Sequence, residues 1–192
     1  MYRMTTLRHA GNLALMVSPI ILSISCGSTT HDQSRDLKGG VHEAMLRDLL
    51  TRGVHASVQR QPEVLCLGLD APLRFLEVRD TATMIAPPDL DQLVDPGSRL
   101  LARLHEADRR VRPTSACEHN AATAHRGLVY AKDGHTRGLI LWSRDVAFSS
   151  DSLATARGGY YEDGLSSAEW LCRLQRDGAA WRVADCKMQW IS

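Results

Sequence analysis

The run VHEAMLRDLLTRGVH, residues 41–55, carries apolar side chains at the spacing of a helix. Residues four positions apart lie on one face of an α-helix, and an acid four residues before a base favours a stabilising ion pair. The pairs at this spacing are Met45 with Leu49, Leu46 with Leu50, Glu43 with Arg47 and Asp48 with Arg52. The pattern predicts a surface helix from Val41 to about His55, packed on the rest of the domain by its apolar face.

The middle of the chain contains short apolar runs separated by prolines. PEVLCLGLD, residues 62–70, has the length and composition of a strand, and APLRFLEV, residues 71–78, would continue it or form a second strand. Asp95 followed by Pro96 is typical of a helix start, with the aspartate as N-cap and the proline at the first helical position. We expect a short helix that begins there and ends near Ala107.

Four strand-like segments follow one another in the last third of the chain. They cover residues 137–143, 152–161, 168–175 and 181–191, and they are joined by SRD, EDGLSS and RDGAA, whose residues favour turns. A parallel pair of strands needs a crossover of about a dozen residues or more, so connections this short predict antiparallel pairing. The expected sheet is a four-stranded antiparallel meander.

The last of these hairpins contains a mismatch in the alternation of its side chains. Trp181 and Cys186 are separated by an odd number of positions, so a regular strand would put them on opposite faces. A β-bulge near Ala184 or Asp185 would bring them to one face. Such a bulge would also put Cys186 on the same side of the sheet as Cys172.

The beginning of the chain has the pattern of an export signal. Residues 1–12 carry two arginines and no acid, and residues 13–24 are mostly apolar and uncharged. A basic segment followed by a short apolar one is typical of a secretory signal peptide, here residues 1–25. The apolar run is shorter than the roughly 20 residues that a membrane-spanning helix needs, and Pro19 would break such a helix.

The segment LSISC, residues 22–26, resembles a bacterial lipobox, in which the cysteine becomes the lipidated first residue of the mature chain. Ser23 departs from the pattern, since a large aliphatic residue is usual three places before the cysteine. The resemblance implies a lipid anchor on Cys26 and, because Gly27 is not aspartate, a location at the outer membrane. Ordinary signal cleavage, which leaves Cys26 as a thiol, is the alternative.

The rest of the composition describes one nearly neutral domain. Residues 26–40 are small and polar, as in a flexible tether, and residues 41–192 suffice for a single domain with its own core. Removal of residues 1–25 takes away two arginines and no acid, so 21 basic residues stand against 22 acidic ones. Proteins that bind nucleic acid usually show a concentrated basic patch, and the short cluster at 109–112 has acids beside it. We therefore expect no nucleic-acid partner.

Four cysteines remain once Cys26 carries the lipid. They are Cys66, Cys117, Cys172 and Cys186. An even number of cysteines in an exported chain favours disulfide bonds, and four cysteines allow three connectivities.

The C-terminal segment GGYYEDGLSSAEWLCRLQRDGAAWRVADCKMQWIS resembles a group of uncharacterised bacterial secreted proteins and lipoproteins that end in a Gly-Tyr-Tyr, Gly-Leu-Ser, Trp-x-Val and Trp-Ile-Ser series. EAMLRDLL, CLGLD and RPTSAC resemble the same group in the same order, so the likeness covers most of residues 41–192. It implies that Cys66 and Cys117 form the usual pair, whereas Cys172 and Cys186 depart from the pattern. It supports export and architecture and implies no reaction.

No catalytic or metal-binding motif in the sequence is complete. The His-Glu dipeptides at 42–43 and 105–106 begin like a zinc-protease helix, but neither has the second histidine. The densest group of metal-ligand residue types contains Cys117, His119, His125 and His135. Their spacings match no common zinc site, and Ser115 has no recognisable base, so we expect no metal and no cofactor. Gly158 and Gly159 lie inside a predicted strand, where glycines mark a bulge or a close backbone approach.

A few residues of the predicted sheet are candidates for a ligand site. Tyr160, Tyr161 and Glu162, with Asp163 beside them, would lie at one mouth of a curved sheet, and Trp142 would add an aromatic wall. Strand packing and a solvated turn explain the same residues without a ligand. The acids together with a tyrosine would also serve an enzyme as acid and base groups.

These observations predict an α+β domain with N-terminal helices packed on a C-terminal four-stranded antiparallel meander, similar in layout to NTF2-like and cystatin-like folds. We expect an exported envelope lipoprotein of unknown molecular role, held at the membrane by its lipid, whose domain binds a protein or a small ligand or has a structural role. A small envelope hydrolase with a site on the concave face of the sheet is the alternative.

Overall fold

The computed structural model describes residues 30–56, 61–70, 90–119, 128–163 and 166–191. Within these residues the helices are α1, Thr30–Ala56, and α2, Ser98–Ala107, with short 3-10 turns at Leu90–Gln92 and Thr114–Ala116. The strands are β1, Val64–Leu69; β2, Val111–Pro113; β3, Cys117–His119; β4, Val129–Ala131; β5, Gly138–Ser150; β6, Leu153–Asp163; β7, Ser166–Asp177; and β8, Ala180–Ile191.

The main sheet is larger than predicted and mixed in direction. Six of the described strands form it in the order β2-β1-β5-β6-β7-β8, while β3 pairs with β4 in a separate small sheet. Neighbours from β5 to β8 are antiparallel, whereas β1 runs parallel to both β2 and β5. The predicted fold class, N-terminal helices on a four-stranded antiparallel meander, is therefore wrong. The described chain is mostly β, and its mixed sheet does not support the expected likeness to NTF2-like and cystatin-like folds.

The physical reason for the larger sheet is that β1 is apolar on both faces. Leu65 and Leu67 pack into the core under α1, and Cys66 packs on the opposite face beside Trp142. A strand that is apolar on both faces is stable only where both faces are covered. β1 therefore occupies an interior position, and the long connection from β1 to β5 allows the parallel pairing.

α1 crosses one face of the sheet and contacts β5, β6 and β8. The predicted apolar face is confirmed, since the side chains of Val41, Met45, Leu46 and Leu49 are buried. Both predicted ion pairs are present: Arg47 with Glu43 at 3.0 Å, and Arg52 with Asp48 at 2.7 Å. The helix begins at Thr30, so it includes most of the 26–40 segment that the sequence assigned to a tether.

α2 begins later than predicted. Gly97 occupies its N-cap position, so the prediction of Asp95 as the N-cap is wrong. The carboxylate of Asp95 instead accepts hydrogen bonds from the backbone N–H and the hydroxyl of Ser115, at 2.8 and 2.6 Å. The predicted end of the helix at Ala107 is confirmed.

β5 is longer than predicted because the SRD segment forms a bulge rather than a turn. Asp145 has a positive φ of 54°, and the register with β6 shifts around it. The strand continues to Ser150, and the chain turns at residues 151–152. The carboxylate of Asp70 accepts a hydrogen bond from the backbone N–H of Asp145 at 2.6 Å, which supports this backbone conformation.

Gly158 and Gly159 of β6 allow side chains to rest directly on both faces of the sheet. A β-carbon on Gly158 would lie 2.9 Å from Cγ of Met45, and one on Gly159 would lie 2.5 Å from Cζ2 of Trp142. Carbon atoms do not approach this closely, so both positions exclude a larger residue. The interpretation of these glycines as positions of close backbone approach is confirmed.

Two disulfide bonds join Cys66 to Cys117 and Cys172 to Cys186, which confirms the expectation of disulfides. The second bond depends on the register of the last hairpin. The pairing of β7 with β8 shifts by one residue at Ala184, so the predicted bulge is confirmed. It brings Cys186 directly opposite Cys172, with the two Cα atoms 4.1 Å apart.

Candidate ligand-binding site

A cavity of about 340 Å³ lies between the C-terminal half of α1 and strands β6 to β8. Its walls are largely apolar and come from Met45, Leu49, Tyr160, Trp170, Met188 and Ile191. Small-molecule sites in proteins typically have volumes of roughly 300–1,000 Å³, with mostly apolar walls and a few polar groups. The volume and the composition of this cavity, which we call the α1 cavity, both fit that description.

Tyr160 and Trp170 form the aromatic part of the wall. Their ring centroids are 6.0 Å apart, and Tyr160 is only 2% exposed. Side chains alternate between the two faces of a strand, so both rings lie on the face that α1 covers. The Cys172–Cys186 bond also lines the cavity and holds its two wall strands together.

The cavity opens to solvent beside Met188 and Ile191. Both side chains line it, and they are 48% and 62% exposed. Apolar side chains that are exposed in isolation are common, but here they continue the apolar wall of a cavity to the protein surface. The opening therefore offers an apolar path from solvent to the interior.

Asp48 and Arg52 supply charged groups to the cavity wall. Nε of Arg52 lies 2.7 Å from Oδ1 of Asp48, and the Asp48 side chain is 16% exposed against 59% for Arg52. Burial raises the pKa of Asp48, and the positive charge of Arg52 opposes that rise. The carboxylate thus belongs to the apolar wall while its partner extends into solvent.

The other predicted ligand residues lie outside the α1 cavity. Tyr161 faces the opposite side of the sheet from Tyr160, and its ring meets that of His119 edge-on at 6.3 Å. Burial raises the pKa of Tyr161. Trp142 is fully buried on that opposite side, where it covers the backbone of Gly159.

Glu162 is held by a network of its own. The side chain is buried, Oε1 accepts a hydrogen bond from Nη2 of Arg137 at 2.8 Å, and Oε2 accepts one from the hydroxyl of Ser166 at 2.9 Å. Both carboxylate oxygens are therefore occupied, one by Arg137 just before β5 and the other by Ser166 at the start of β7. The structure does not bring Glu162 and Tyr160 into one cleft.

Sequence reasoning missed a buried ionic cluster on the face of the sheet opposite α1. Glu169 is fully buried, and its two oxygens accept hydrogen bonds from Nε of Arg144 at 2.8 Å and Nη1 of Arg157 at 3.1 Å. Asp145 lies 3.4 Å from Arg157 and adds a second acid. Arg144 and Asp145 come from β5, Arg157 from β6 and Glu169 from β7. Strand alternation alone gives no signal that these strands bring them together.

Sequence reasoning also missed a polar pair beneath α1. Nδ1 of His42 lies 2.9 Å from the hydroxyl oxygen of Ser143, and both residues are buried. Burial, followed by the charge of Lys38, lowers the pKa of His42 to about 4. Asp70, which follows β1, also has a shifted pKa. Burial raises this pKa to about 6, although the hydrogen bond from the backbone of Asp145 acts to lower it. A neutral histidine that is closed to solvent holds α1 on β5.

A second cleft, also of about 340 Å³, lies between residues 90–95 and the Thr114–Ala116 turn and is more open and more polar. It contains the Asp95 carboxylate with its two hydrogen bonds from Ser115. Nε2 of His119 lies 3.7 Å from Oδ1 of Asp91 in the same cleft. Among the described residues, no group of three or more His, Cys, Asp or Glu side chains is placed to hold a metal ion.

No protein-family model matches the chain, and no curated protein or solved structure has significant similarity to it. The predicted signal peptide, Cys26 and His125 lie outside the described residues, as does the strand predicted at 71–78. Of the helices in the described part of the chain, none is long and apolar enough to cross a membrane.

Proposed function

We propose that this protein is an exported envelope lipoprotein whose domain binds a small apolar ligand in the α1 cavity without catalysing a reaction. The anchor would be a lipid on Cys26. The domain would then lie in the periplasm or outside the cell, attached to the outer membrane.

The observation that carries the proposal is the α1 cavity itself. A folded domain normally fills its interior to the density of an organic crystal, so a cavity of about 340 Å³ is large for a packing defect. The exposed side chains of Met188 and Ile191 extend its apolar wall to the surface. An apolar ligand would gain affinity from burial against these walls, at roughly 25 cal/mol per Å² of apolar surface.

Two features support export. The leader, residues 1–25, has the order of a secretory signal, and the chain carries two disulfide bonds. Disulfides form and persist in oxidising compartments such as the bacterial periplasm and are rare in the cytosol.

The hydrolase alternative has less support from the geometry. It relies on Glu162 or Asp163 acting with a tyrosine, but Arg137 and Ser166 occupy both oxygens of the Glu162 carboxylate, and Asp163 does not line the α1 cavity. Tyr160 lines the α1 cavity, which Glu162 does not reach. Kinship with the uncharacterised secreted proteins that share the C-terminal Gly-Tyr-Tyr to Trp-Ile-Ser series is a further proposal, and it implies no reaction.

The binding proposal is tested with N-phenyl-1-naphthylamine, a neutral apolar dye whose fluorescence rises when it leaves water. We expect the full-length protein to bind the dye, and Met188→Glu to weaken binding roughly 10-fold or more because it puts a charge in the apolar opening. Leu153→Glu is the matched control, since Leu153 is also exposed but does not line the cavity. Equal binding by both variants would contradict the proposal.

The anchor is tested by the intact mass of the protein in the membrane fraction of its native host. Wild type should carry the mass of a lipid-modified cysteine, and Cys26→Ala should lose that mass and leave the membrane fraction. A soluble wild-type chain with no added mass would refute the anchor and leave the cavity proposal standing.

A further inference from the structure

The polar pair in the wall of the α1 cavity restricts the head group of the ligand. This inference rests on the proposed function. Asp48 is the acid of the pair, and its carboxylate has an accepting oxygen besides the one that binds Arg52. A ligand that fills the cavity would remove the remaining water from this carboxylate, and a buried acceptor without a hydrogen-bond partner weakens binding.

The charges of the pair disfavour a charged head group. A ligand carboxylate would meet the negative charge of Asp48 in the apolar wall, and an ammonium group would compete with Arg52 for it. A hydroxyl group can donate a hydrogen bond to the carboxylate while the 2.7 Å contact with Arg52 stays in place. Hydrogen bonds to an ionised acceptor are among the stronger ones in proteins.

The volume of the cavity restricts the size of the ligand. One water molecule takes up about 30 Å³ of liquid, so a cavity of about 340 Å³ corresponds to about a dozen non-hydrogen atoms. A straight-chain alcohol of about ten carbons has this size. The largely apolar walls match its chain.

We infer that the ligand is a neutral amphiphile, with an apolar body of about ten non-hydrogen atoms and a hydroxyl head that donates a hydrogen bond to the carboxylate of Asp48. The chain fills the space between Leu49 and Trp170, and the head group lies beside the Asp48–Arg52 pair.

The inference is tested by displacement of N-phenyl-1-naphthylamine from the full-length protein. The competitors are 1-decanol, decanoate and decylammonium, which share a chain and differ in head group. We expect 1-decanol to displace the dye at a concentration roughly 10- to 100-fold lower than either ion, in line with the value of a hydrogen bond to a charged acceptor.

Two variants identify the acceptor. Asp48→Ala should lower the affinity for 1-decanol roughly 10- to 100-fold, because the acceptor of its hydrogen bond is lost. It should raise the affinity for decanoate above that of the wild type, because Arg52 then lacks its acid. Asp48→Asn keeps an accepting oxygen and removes the negative charge. It should therefore raise the affinity for decanoate and change the affinity for 1-decanol only a few-fold. Glu43→Ala is the matched control, since Glu43 is also the acid of an i,i+4 pair in α1 but does not line the cavity.

The outcomes separate this inference from the proposed function. Failure of the wild type to bind the dye would overturn both. Dye binding with equal displacement by the three competitors, or with decanoate preferred, would overturn the head-group inference alone. An unchanged order of preference in Asp48→Ala, in a variant that keeps the wild-type circular dichroism, would show that a group other than Asp48 binds the head group.

Discussion

Met45 of α1 rests on the backbone of Gly158 in β6. A β-carbon at Gly158 would lie 2.9 Å from Cγ of Met45, closer than carbon atoms approach in proteins. The helix therefore packs directly against the main chain of the sheet at this position. Met45 also lines the α1 cavity, so the cavity lies next to this contact. The missing side chain of Gly158 determines how closely the two layers pack.

Gly158→Ala should destabilise the protein by about 2–3 kcal/mol, because overpacking of a tight core forces side chains or backbone to shift. Urea unfolding of the wild type and the variant gives the change. In a Met45→Ala background the same substitution should cost less, since the shorter side chain leaves room for the new methyl group. Equal costs in both backgrounds would show that Met45 is not what excludes the methyl group.

Gly39 and Gly40 are neighbours in α1 with different surroundings. Nothing lies within 4 Å of a β-carbon built on Gly39, whereas one on Gly40 would be 2.7 Å from Cδ1 of Trp181. Gly39→Ala should raise the free energy of unfolding by roughly 0.5–1 kcal/mol, because alanine is the better helix former. Gly40→Ala should lose this gain, because Trp181 must move. Thermal unfolding of the two variants compares them, and an equal rise in melting temperature would contradict the contact.

His42 makes the stability depend on pH. Its pKa is lowered to about 4 in the folded protein, by burial and by the charge of Lys38, from 6.5 in the unfolded chain. Between these values the unfolded chain binds a proton that the folded one does not, so this residue contributes stability above pH 6.5 that is lost as the pH falls towards 4. The loss is roughly 3 kcal/mol at most.

His42→Gln isolates this effect, because glutamine can keep a hydrogen bond to Ser143 and does not titrate. The difference in unfolding free energy between wild type and variant, measured in urea at pH 7.5, 5.5 and 4.5, should shrink or change sign as the pH falls. The difference is needed because Asp70, with its pKa raised to about 6, has the opposite effect: its ionisation destabilises the fold as the pH rises. A constant difference would mean that His42 is not closed to solvent.

Glu169 should be among the most sensitive residues of the chain. Its carboxylate is fully buried between Arg144 and Arg157, so Glu169→Ala would leave these two guanidinium groups with only the half-exposed Asp145 as an acid. Removal of one member of a buried ionic cluster typically costs about 3–5 kcal/mol. Glu63→Ala, at an exposed glutamate, should change the stability by less than about 0.5 kcal/mol. Similar losses in both variants would contradict the importance of the cluster.

The Cys172–Cys186 bond should depend on the extra residue at Ala184. Deletion of Ala184 would remove the bulge and turn Cys186 to the opposite face, so two thiols should become available to a thiol reagent in denaturant. The Cys172→Ala/Cys186→Ala double variant should lose roughly 3 kcal/mol, the value of a loop of this length in the chain-entropy model. A deletion variant without free thiols would show that the strand can shift to restore the bond.

Several local features of this protein could be predicted from its sequence. The apolar face of α1 and its two ion pairs follow from a spacing of four residues, and the predicted end of α2 at Ala107 matches the observed one. The bulge at Ala184 could be predicted because side-chain alternation in a hairpin with a short turn leaves one register that matches the apolar face.

The residues of the candidate site could be predicted from the sequence only in part. Tyr160 was expected near a ligand and does line the α1 cavity, but its companions Tyr161, Glu162 and Trp142 lie elsewhere. Alternation along β6 already separates Tyr160 from Tyr161, and the position of Glu162 depends on Arg137, far away in the chain. Asp48 appeared in the sequence as one half of a helical ion pair, with no sign that it lines a cavity.

The apolar face of α1, the hairpins β6–β7 and β7–β8 and the bulge at Ala184 follow from the sequence alone, because they depend on residues a few positions apart. The place of β1 beside β5, the contact of Glu169 with two arginines and the cavity between α1 and β6 to β8 follow only from the folded structure. These features depend on contacts between residues distant in sequence, where packing of whole elements selects one arrangement among several that local patterns allow equally.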